Sequence, residues 1–225
     1  MNAGWAERGT FVDALEPSDF KELAELGKRR RYPKGSALFG EGSRSDRVLV
    51  VMEGRAKISC ATEDGKEVLL ALRGPGDLLG EMAAFDDVPH SASALALEDM
   101  EVLTLPKEAF AEHLETHPAA AITLLRMLSA RLRDADEKRV DFASHDAEGR
   151  VAKRIVELAE RYGEESDAGI RINLPLSQEE LGGWLGASRE AVSKALQTLR
   201  SRGWIETHRR GITVTDLEEL RRRAT

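Results

Sequence analysis

The spacing of hydrophobic residues divides the chain near Pro106, with short alternating runs before it and long helical patterns after it. Residues 16–31 are an exception, because their apolar spacing and Ser18 as an N-cap predict a short helix. From residue 32 to 106 the apolar runs are short, alternating or β-branched, and separated by Gly-rich turns. This pattern is typical of an all-β sandwich or barrel. The predicted strands cover 36–39, 47–54, 55–62, 67–74, 91–97 and 101–105.

A long helix is predicted beyond these strands. A helix over 107–115 precedes it, and Pro118 suits a first helical turn. Between 119 and 142 apolar residues recur every three or four positions as a narrow stripe. The stripe consists of Ala121, Leu125, Leu128, Leu132, Ala135 and Phe142, with Arg139 on the same line. A stripe this narrow favours pairing with a second copy of the chain. The alternative is an ordinary helix packed on its own domain.

The last third of the chain predicts short elements after a polar hinge at 144–149. They are a helix at 149–162, a strand at 171–176, helices at 177–184 and 188–202, a hairpin at 204–215 turned by Arg210-Gly211, and a closing helix. We therefore expect a β-rich domain over 1–118, a connecting helix and hinge over 119–145, and a helical domain with a hairpin over 146–225.

The net charge of −7 is unevenly distributed. From Ala147 onward, 14 lysines and arginines face 13 acidic residues, a net charge of +1, which leaves −8 for the preceding part. Within 188–202, four basic residues accompany Glu190 as the only acid. A local basic face matters more than the average charge for attraction to phosphates. This stretch is therefore a candidate nucleic-acid surface.

Composition argues against several classes of protein. The chain is 41% hydrophobic and 32% charged, which is ordinary for a soluble folded protein. It has no run of eighteen apolar residues and no secretory signal at its start, so we expect a cytoplasmic protein without membrane contact. The single cysteine, Cys60, is predicted to be a half-buried strand residue, since an iron–sulfur cluster usually takes four thiolates. His113 and His117 are four apart, as metal ligands often are, but the sequence nearby supplies no third ligand, so we expect no metal site.

Residues 176–206 have the pattern of a helix-turn-helix. Ser177 and Glu180 form a capping box, Gly186 permits a sharp turn, and Ser188 caps the second helix. Opposite its apolar residues, the second helix has a polar face of Arg189, Glu190, Ser193, Lys194 and Gln197. The first residues of such a helix contact base edges in the major groove, where arginine bonds guanine and glutamate accepts from cytosine. The alternative is a helical hairpin with a solvated basic face.

The stretch GASREAVSKAL at 186–196 resembles the recognition helix of the cyclic-AMP receptor protein (CRP/FNR) family, whose usual form is G-x-S-R-E-T-V-x-R-x-L. The resemblance covers almost the whole chain, including the D-A-E-G-R junction at 146–150. It implies a DNA-binding set of Ser177, Gln178, Ser188, Arg189, Glu190, Ser193, Lys194 and, at the hairpin tip, Arg209. In this set Arg189, Glu190 and Lys194 would contact bases, and Ser177 and Gln178 would lie near phosphates. Ala191 replaces the usual threonine, and Lys194 replaces an arginine, which removes its planar fork.

The same resemblance implies an α+β fold with an N-terminal cyclic-nucleotide-binding-like β-roll (a double-stranded jelly roll), a long dimerisation helix and a C-terminal winged helix-turn-helix. In the family an effector lies inside the roll, held by G-E-[LM] and, about nine residues later, R-[ST]-A. This chain has Gly80-Glu81-Met82 and His90-Ser91-Ala92. Glu81 would accept from a ribose hydroxyl and Ser91 would contact a phosphate. His90 replaces the arginine that pairs with the phosphate, a loss of about 1.5–3 kcal/mol for a charged hydrogen bond.

Three hypotheses for the effector remain open. Cyclic-AMP-binding members have threonine with serine or asparagine on the long helix, where this chain has Ala135 and Asp136. Cyclic AMP is therefore one hypothesis, against which these positions count. A guanine nucleotide is another, with Asp136 accepting from the base and Arg131 or Arg133 contacting phosphate. In the third, the pocket binds no nucleotide and His90 is a surface loop residue.

The sequence thus predicts an effector-responsive transcriptional regulator that binds inverted repeats of double-stranded DNA as a homodimer. The further partner expected is RNA polymerase, and the only candidate cofactor is a cyclic nucleotide effector. A constitutive DNA-binding regulator is the alternative. An enzyme is disfavoured, because no nucleophile, metal set or phosphate-binding loop accompanies Glu81 and His90.

Overall fold

The chain folds into two compact units, each combining antiparallel strands with helices, in an α+β arrangement. A computed structural model describes residues 6–63, 65, 67–173, 178–185, 187–208 and 211–224, without the side chains of 142, 178, 179, 182 and 183. The first unit comprises the chain up to Gly65 and Leu70–Asp134, and the second comprises Lys66–Leu69 and the chain from Ala135 onward. No helix among the described residues is long and apolar enough to cross a membrane.

Within the described part of the chain, eight strands and four helices begin before residue 135. The helices are α1 (Pro17–Glu25), α2 (Glu81–Asp86), α3 (Lys107–Thr116) and α4 (Pro118–Ser144). The strands are β1 (Lys28–Tyr32), β2 (Ala37–Phe39), β3 (Arg47–Glu53), β4 (Ala56–Ala61), β5 (Glu67–Arg73), β6 (Leu78–Leu79), β7 (Ser93–Ala96) and β8 (Met100–Pro106). They form two sheets, in the orders β1-β8-β3-β6 and β2-β7-β4-β5. All six predicted strands are confirmed within about two residues, while β1, β6 and α2 were not predicted.

Strand β3 explains why the sequence has a continuous apolar run at this point. Successive side chains of a strand point to opposite faces. Val48 and Val50 belong to a core cluster with Phe11, Leu23 and Phe110, while Leu49 and Val51 belong to a second cluster with Met100 and Val102. Both faces of β3 are therefore buried, and no polar residue interrupts the run.

The prediction of one helix over 16–31 is wrong in its second half. Helix α1 begins at Pro17, with Glu16 rather than Ser18 at the N-cap, and Lys28–Tyr32 form β1. β1 pairs antiparallel with β8, from Lys28 opposite Thr104 to Tyr32 opposite Met100. At Gly27 an added Cβ would lie only 2.6 Å from Leu103 Cδ1. Tertiary pairing therefore overrides the local helical pattern.

Helix α4 is one helix of 27 residues, as predicted, but the predicted apolar stripe is divided between two faces. Ala120, Leu124 and Met127 are buried, and Leu128 packs partly against the same core. Leu125 and Leu132, seven residues apart, are 62% and 64% exposed. The stripe thus contributes both to the domain core and to an outward apolar face.

The second unit contains the elements after the hinge. They are α5 (Ala147–Tyr162), β9 (Gly163–Ser166), β10 (Gly169–Ile172), α6 (Gln178–Leu185), α7 (Arg189–Ser201), β11 (Ile205–His208), β12 (Gly211–Val214) and α8 (Leu217–Arg223), with the strands in the order β11-β12-β10-β9. The strand predicted at 171–176 is instead the second half of a β9–β10 hairpin. Residues 174–177 lie outside the described residues.

Candidate DNA-binding surface and effector pocket

Helices α6 and α7 form the predicted helix-turn-helix. Ser188 caps α7, since its hydroxyl oxygen accepts a hydrogen bond of 3.2 Å from the backbone amide of Ala191. Such a cap satisfies an amide that the helix itself leaves without a partner. Leu181, Trp184 and Leu185 of α6 are buried, as the sequence predicted. Gly186 lies outside the described residues.

The two faces of α7 differ as predicted. Val192, Ala195, Leu196 and Leu199 are at most 6% exposed. The exposed face comprises Arg189, Glu190, Ser193, Lys194 and Gln197. The amide of Glu190, the side chain of Ser188 and the charge of Arg189 together lower the pKa of the Glu190 carboxyl below its ordinary value. The start of α7 therefore presents one cation and one carboxylate acceptor to solvent.

The remaining predicted DNA contacts are only partly described. β11 and β12 form the predicted hairpin, but Gly211, which was predicted to be part of the turn, is the first residue of β12 and pairs with His208. Ser177 and Arg209 lie outside the described residues, as does the side chain of Gln178 at the start of α6.

The predicted effector site centres on Gly80 and Glu81. Gly80 has φ of +79°, a left-handed conformation that glycine adopts without strain, and it precedes α2. The Glu81 side chain is buried, and its Oε1 accepts a hydrogen bond of 2.5 Å from Arg131 Nη1. Arg131 also donates to the Leu78 carbonyl at 3.0 Å and lies 3.6 Å from the Asp77 carboxylate. The long helix thus supplies a cation that already binds the pocket's acid.

His90 is a buried residue, so the hypothesis of a surface loop residue is wrong. It is 7% exposed, and its ring stacks on Phe39 at 3.9 Å between centroids and 11° between planes. Its backbone is held on both sides, by Ser43 at 2.9 Å and Gly42 at 2.8 Å. Burial lowers the pKa of the His90 imidazole, because it disfavours the charged form. The position therefore holds a neutral aromatic ring near neutral pH.

The two halves of the chain match two domain families. Residues 29–117 match the cyclic nucleotide-binding domain, and residues 149–223 match the Crp-like helix-turn-helix domain. The CRP-like cAMP-activated global transcriptional regulator of Mycobacterium tuberculosis is 35% identical to this chain, over 96% of the chain and 97% of that protein. This chain belongs to the CRP/FNR family of transcriptional regulators.

Further similarities agree with the family membership. The cyclic AMP receptor protein of Thermus thermophilus is 32% identical, over 84% of each chain. A structure of a CooA mutant from Carboxydothermus hydrogenoformans has a TM-score of 0.76 and 26% identity, over 91% of this chain and 90% of that one. The family membership confirms the predicted fold class and the DNA-binding, transcription-regulating role.

Within this CRP/FNR regulator, Gly80 and His90 are the predicted pocket residues that the first unit brings into contact. Gly80 lies against His90, since a Cβ at Gly80 would be 3.1 Å from His90 Cε1. Met82 is 57% exposed and Ser91 is also exposed. Ala135 and Asp136 are exposed residues of the second unit, where Asp136 lies 3.5 Å from Arg139 of the next turn.

Sequence reasoning missed Phe39 in this site and gave Arg131 a different partner. Phe39 gave no signal, because nothing local distinguishes a ring that stacks on His90. Arg131 was considered as a phosphate contact for a guanine nucleotide, but its guanidinium binds Glu81 and the Leu78 carbonyl. An arginine among apolar residues of a long helix was the available signal.

Among the described residues, no group of three or more His, Cys, Asp or Glu side chains is placed to hold a metal ion, and His113 and His117 make other contacts. The two rings stack at 4.0 Å between centroids, and His117 Nε2 lies 2.9 Å from the Glu22 carboxylate. Stacked rings do not direct two nitrogens towards a shared ion, so the arrangement is one of packing and hydrogen bonding.

Proposed function

We propose that this CRP/FNR regulator binds inverted repeats of double-stranded DNA as a homodimer and that its β-roll senses a nucleotide. The observation that carries the proposal is the exposed start of α7, where Arg189 and Glu190 lie beside Lys194, above a fully buried apolar face. In helix-turn-helix proteins, these first residues are the ones that reach base edges. The proposal includes a cytoplasmic protein that contacts RNA polymerase and has no enzymatic activity.

The outward face of α4 supports the homodimer. Ile122, Leu125 and Leu132 are 49–64% exposed and recur at intervals of three and seven residues. This heptad-like spacing suits two long helices that pack against each other. The alternative prediction, a helix packed only on its own domain, does not explain why these three apolar side chains are exposed.

Sequence selection tests the DNA-binding proposal. The purified protein would select bound duplexes from a random pool, and sedimentation would give the mass of the complex. We expect an inverted repeat whose half-sites are one helical turn, about 34–36 Å, apart. Leu125→Asp with Leu132→Asp should yield monomers that lose this selection, whereas Lys21→Asp, on the exposed surface of α1, should not. A wild-type protein that binds its site as a monomer would contradict the symmetric model.

For the effector, the pocket fits the ribose of a nucleotide better than its phosphate. Glu81 supplies a buried acceptor for a ribose hydroxyl, which supports a nucleotide as the class of ligand. Position 90 supplies a neutral stacked ring instead of a cation for the phosphate. The M. tuberculosis relative is described as cAMP-activated, which supports cyclic AMP as the effector. The neutral histidine at position 90 argues against cyclic AMP. A guanine nucleotide remains the alternative, for which Asp136 would be the base acceptor.

A constitutive regulator is the second candidate function. It is favoured by the Arg131–Glu81 hydrogen bond and the His90–Phe39 stack, which satisfy the pocket's polar groups within the protein. Thermal unfolding with cyclic AMP, cyclic GMP and cyclic dinucleotides separates the candidates. A ligand at a hundred times its Kd stabilises the folded state by about 2.7 kcal/mol. No shift with any of them, together with unchanged operator affinity, would favour the constitutive regulator.

A further inference from the structure

A charged cluster joins the start of α5 to the ends of two other helices in the second unit. One oxygen of Glu148, Oε1, accepts from Arg202 Nη1 at 2.9 Å and from Arg223 Nε at 2.8 Å. Arg202 is the C-cap of α7, and Arg223 is the last residue of α8. Glu148 lies in the first turn of α5, where a carboxylate is also favoured by the helix dipole.

Arg223 and Arg202 each have a second partner besides Glu148. Arg223 Nη2 donates to both oxygens of Asp146, at 2.5 and 2.7 Å, and Asp146 caps α5 through the amide of Gly149. Arg202 lies 4.8 Å over the Trp204 ring. A Cβ at Gly149 would come within 2.8 Å of Arg223 Nη1, so glycine leaves room for this approach.

An isolated exposed ion pair contributes little to stability, but this cluster is a constrained network. Only 21% of the Glu148 side chain is exposed, and its oxygen receives two charge-assisted hydrogen bonds. Helices α7 and α8 both pack on α5, each helix has buried apolar residues, and apolar contacts are not directional. The two charge-assisted hydrogen bonds to Glu148 are directional, so they constrain the ends of α7 and α8 in a way that apolar packing does not.

The cluster lies at the end of α7 opposite Arg189, so a small tilt of the helix there would displace the side chains proposed to contact DNA. The thirteen residues of α7 span about 20 Å at 1.5 Å per residue, with Arg189 at one end and Arg202 just beyond the other. A tilt of about 5° at the Arg202 end would move the Arg189 end by about 1.7 Å over that length. This displacement exceeds the narrow distance range of a hydrogen bond to a base.

We propose that Glu148 is a positioning residue for the recognition helix, because it fixes the end of α7 and the end of α8 to the first turn of α5. The proposal rests on the proposed function, since it concerns how α7 meets its DNA site. In this role Glu148 acts through α7 and not through a base contact of its own. Its carboxylate determines the angle at which the face of α7 is presented, so it governs discrimination between sequences more than general affinity for DNA.

The test compares Glu148→Ala and Glu148→Gln with the wild type, measuring Kd for the selected operator and for a scrambled duplex of equal length. We expect Glu148→Ala to weaken operator binding about tenfold and scrambled binding by less than twofold. Glu148→Gln keeps an acceptor oxygen without the charge and should lose about threefold. The ratio of the two Kd values is informative, because partial unfolding lowers the active fraction for both duplexes equally.

Glu218→Ala is the matched control. It removes one negative charge from α8, its side chain is 74% exposed, and it pairs with Arg221 of its own helix. It should leave the Kd ratio unchanged, whereas equal ratios for Glu148→Ala and Glu218→Ala would overturn the inference. Arg202→Ala should reproduce the loss in the ratio, and combining it with Glu148→Ala should add no further loss. Additive losses would show that the two residues act separately.

The same experiment separates the inference from the proposed function. If the wild type and Glu218→Ala select the same inverted repeat, the proposed function holds and the Kd ratio alone decides the role of Glu148. If the wild type selects no sequence at all, the proposed function is wrong, and the inference is overturned with it.

Discussion

The recognition helix and the effector pocket use charged residues in opposite ways. Arg189 and Lys194 are exposed on the solvent face of α7, whereas Glu81 in the roll is buried and bound to Arg131 at 2.5 Å. An exposed cation meets phosphates or bases at a small desolvation cost. A ligand that uses Glu81 must instead replace, or share, a charge-assisted hydrogen bond that the protein already makes. The exposed face of α7 is therefore accessible to DNA, whereas the acid of the pocket is already bound to Arg131 within the protein.

The largest effect should come from removing Arg189, the first base contact that we propose for the exposed face of α7. Arg189→Ala should weaken operator binding by about 1–3 kcal/mol for each protomer, because arginine bonds guanine through two parallel hydrogen bonds. It should also relax selectivity at one position of each half-site. Fluorescence anisotropy with the operator and with single-base variants measures both effects. Lys21→Ala, an equal change of charge on α1, serves as the control, and an equal loss on all sequences would contradict base contact.

The second prediction concerns the pocket. His90→Arg restores a cation where the family has one, and should tighten binding of cyclic AMP about tenfold to a hundredfold, the effect of a charged hydrogen bond. Calorimetry of both proteins with cyclic AMP measures the change. Ser91→Arg places the same charge on an exposed neighbouring residue and should give a smaller gain. If His90→Arg binds cyclic AMP no better than the wild type, then the Arg131–Glu81 hydrogen bond, and not the missing cation, limits the affinity of the pocket for cyclic AMP.

The third prediction concerns the N-cap of α7. Ser188→Ala removes the hydroxyl that accepts from the Ala191 amide, and should lower the free energy of unfolding by about 0.5–2 kcal/mol. Urea unfolding measures this loss. Ser188→Asp keeps an acceptor at the helix start and should retain most of the stability. If Ser188→Ala were as stable as the wild type, the cap would have no energetic role.

The same contrast explains which parts were predictable from sequence. The two faces of α7 and its cap depend on residues within one helix, so periodicity and a capping residue were sufficient. The pocket depends on pairs far apart in sequence: Arg131 and Glu81 are 50 residues apart, and Arg29 of β1 bonds Glu101 across 72 residues. No local pattern encodes such pairs, which is why β1 was predicted as helix and the stack on Phe39 was missed. The roles of Ser177, Gln178 and Arg209 stay predictions.

The smallest predicted effect is a pH dependence that originates in the pocket. Burial lowers the pKa of His90 in the folded protein, so the unfolded chain binds the proton more readily. Its contribution to stability is therefore complete above about pH 6.5, the ordinary pKa of histidine, and is lost as the pH falls below that value. His90→Phe keeps an aromatic ring against Phe39 and removes the titrating group. We expect the thermal midpoint to fall less for His90→Phe than for the wild type between pH 7.5 and 5.5.

Equal pH slopes for the wild type and His90→Phe would mean that water reaches the ring as readily in the folded state as in the unfolded one. In that case position 90 would be accessible enough for a protonated histidine to contact a phosphate. The pocket would then resemble the face of α7 in exposing a charged side chain to solvent.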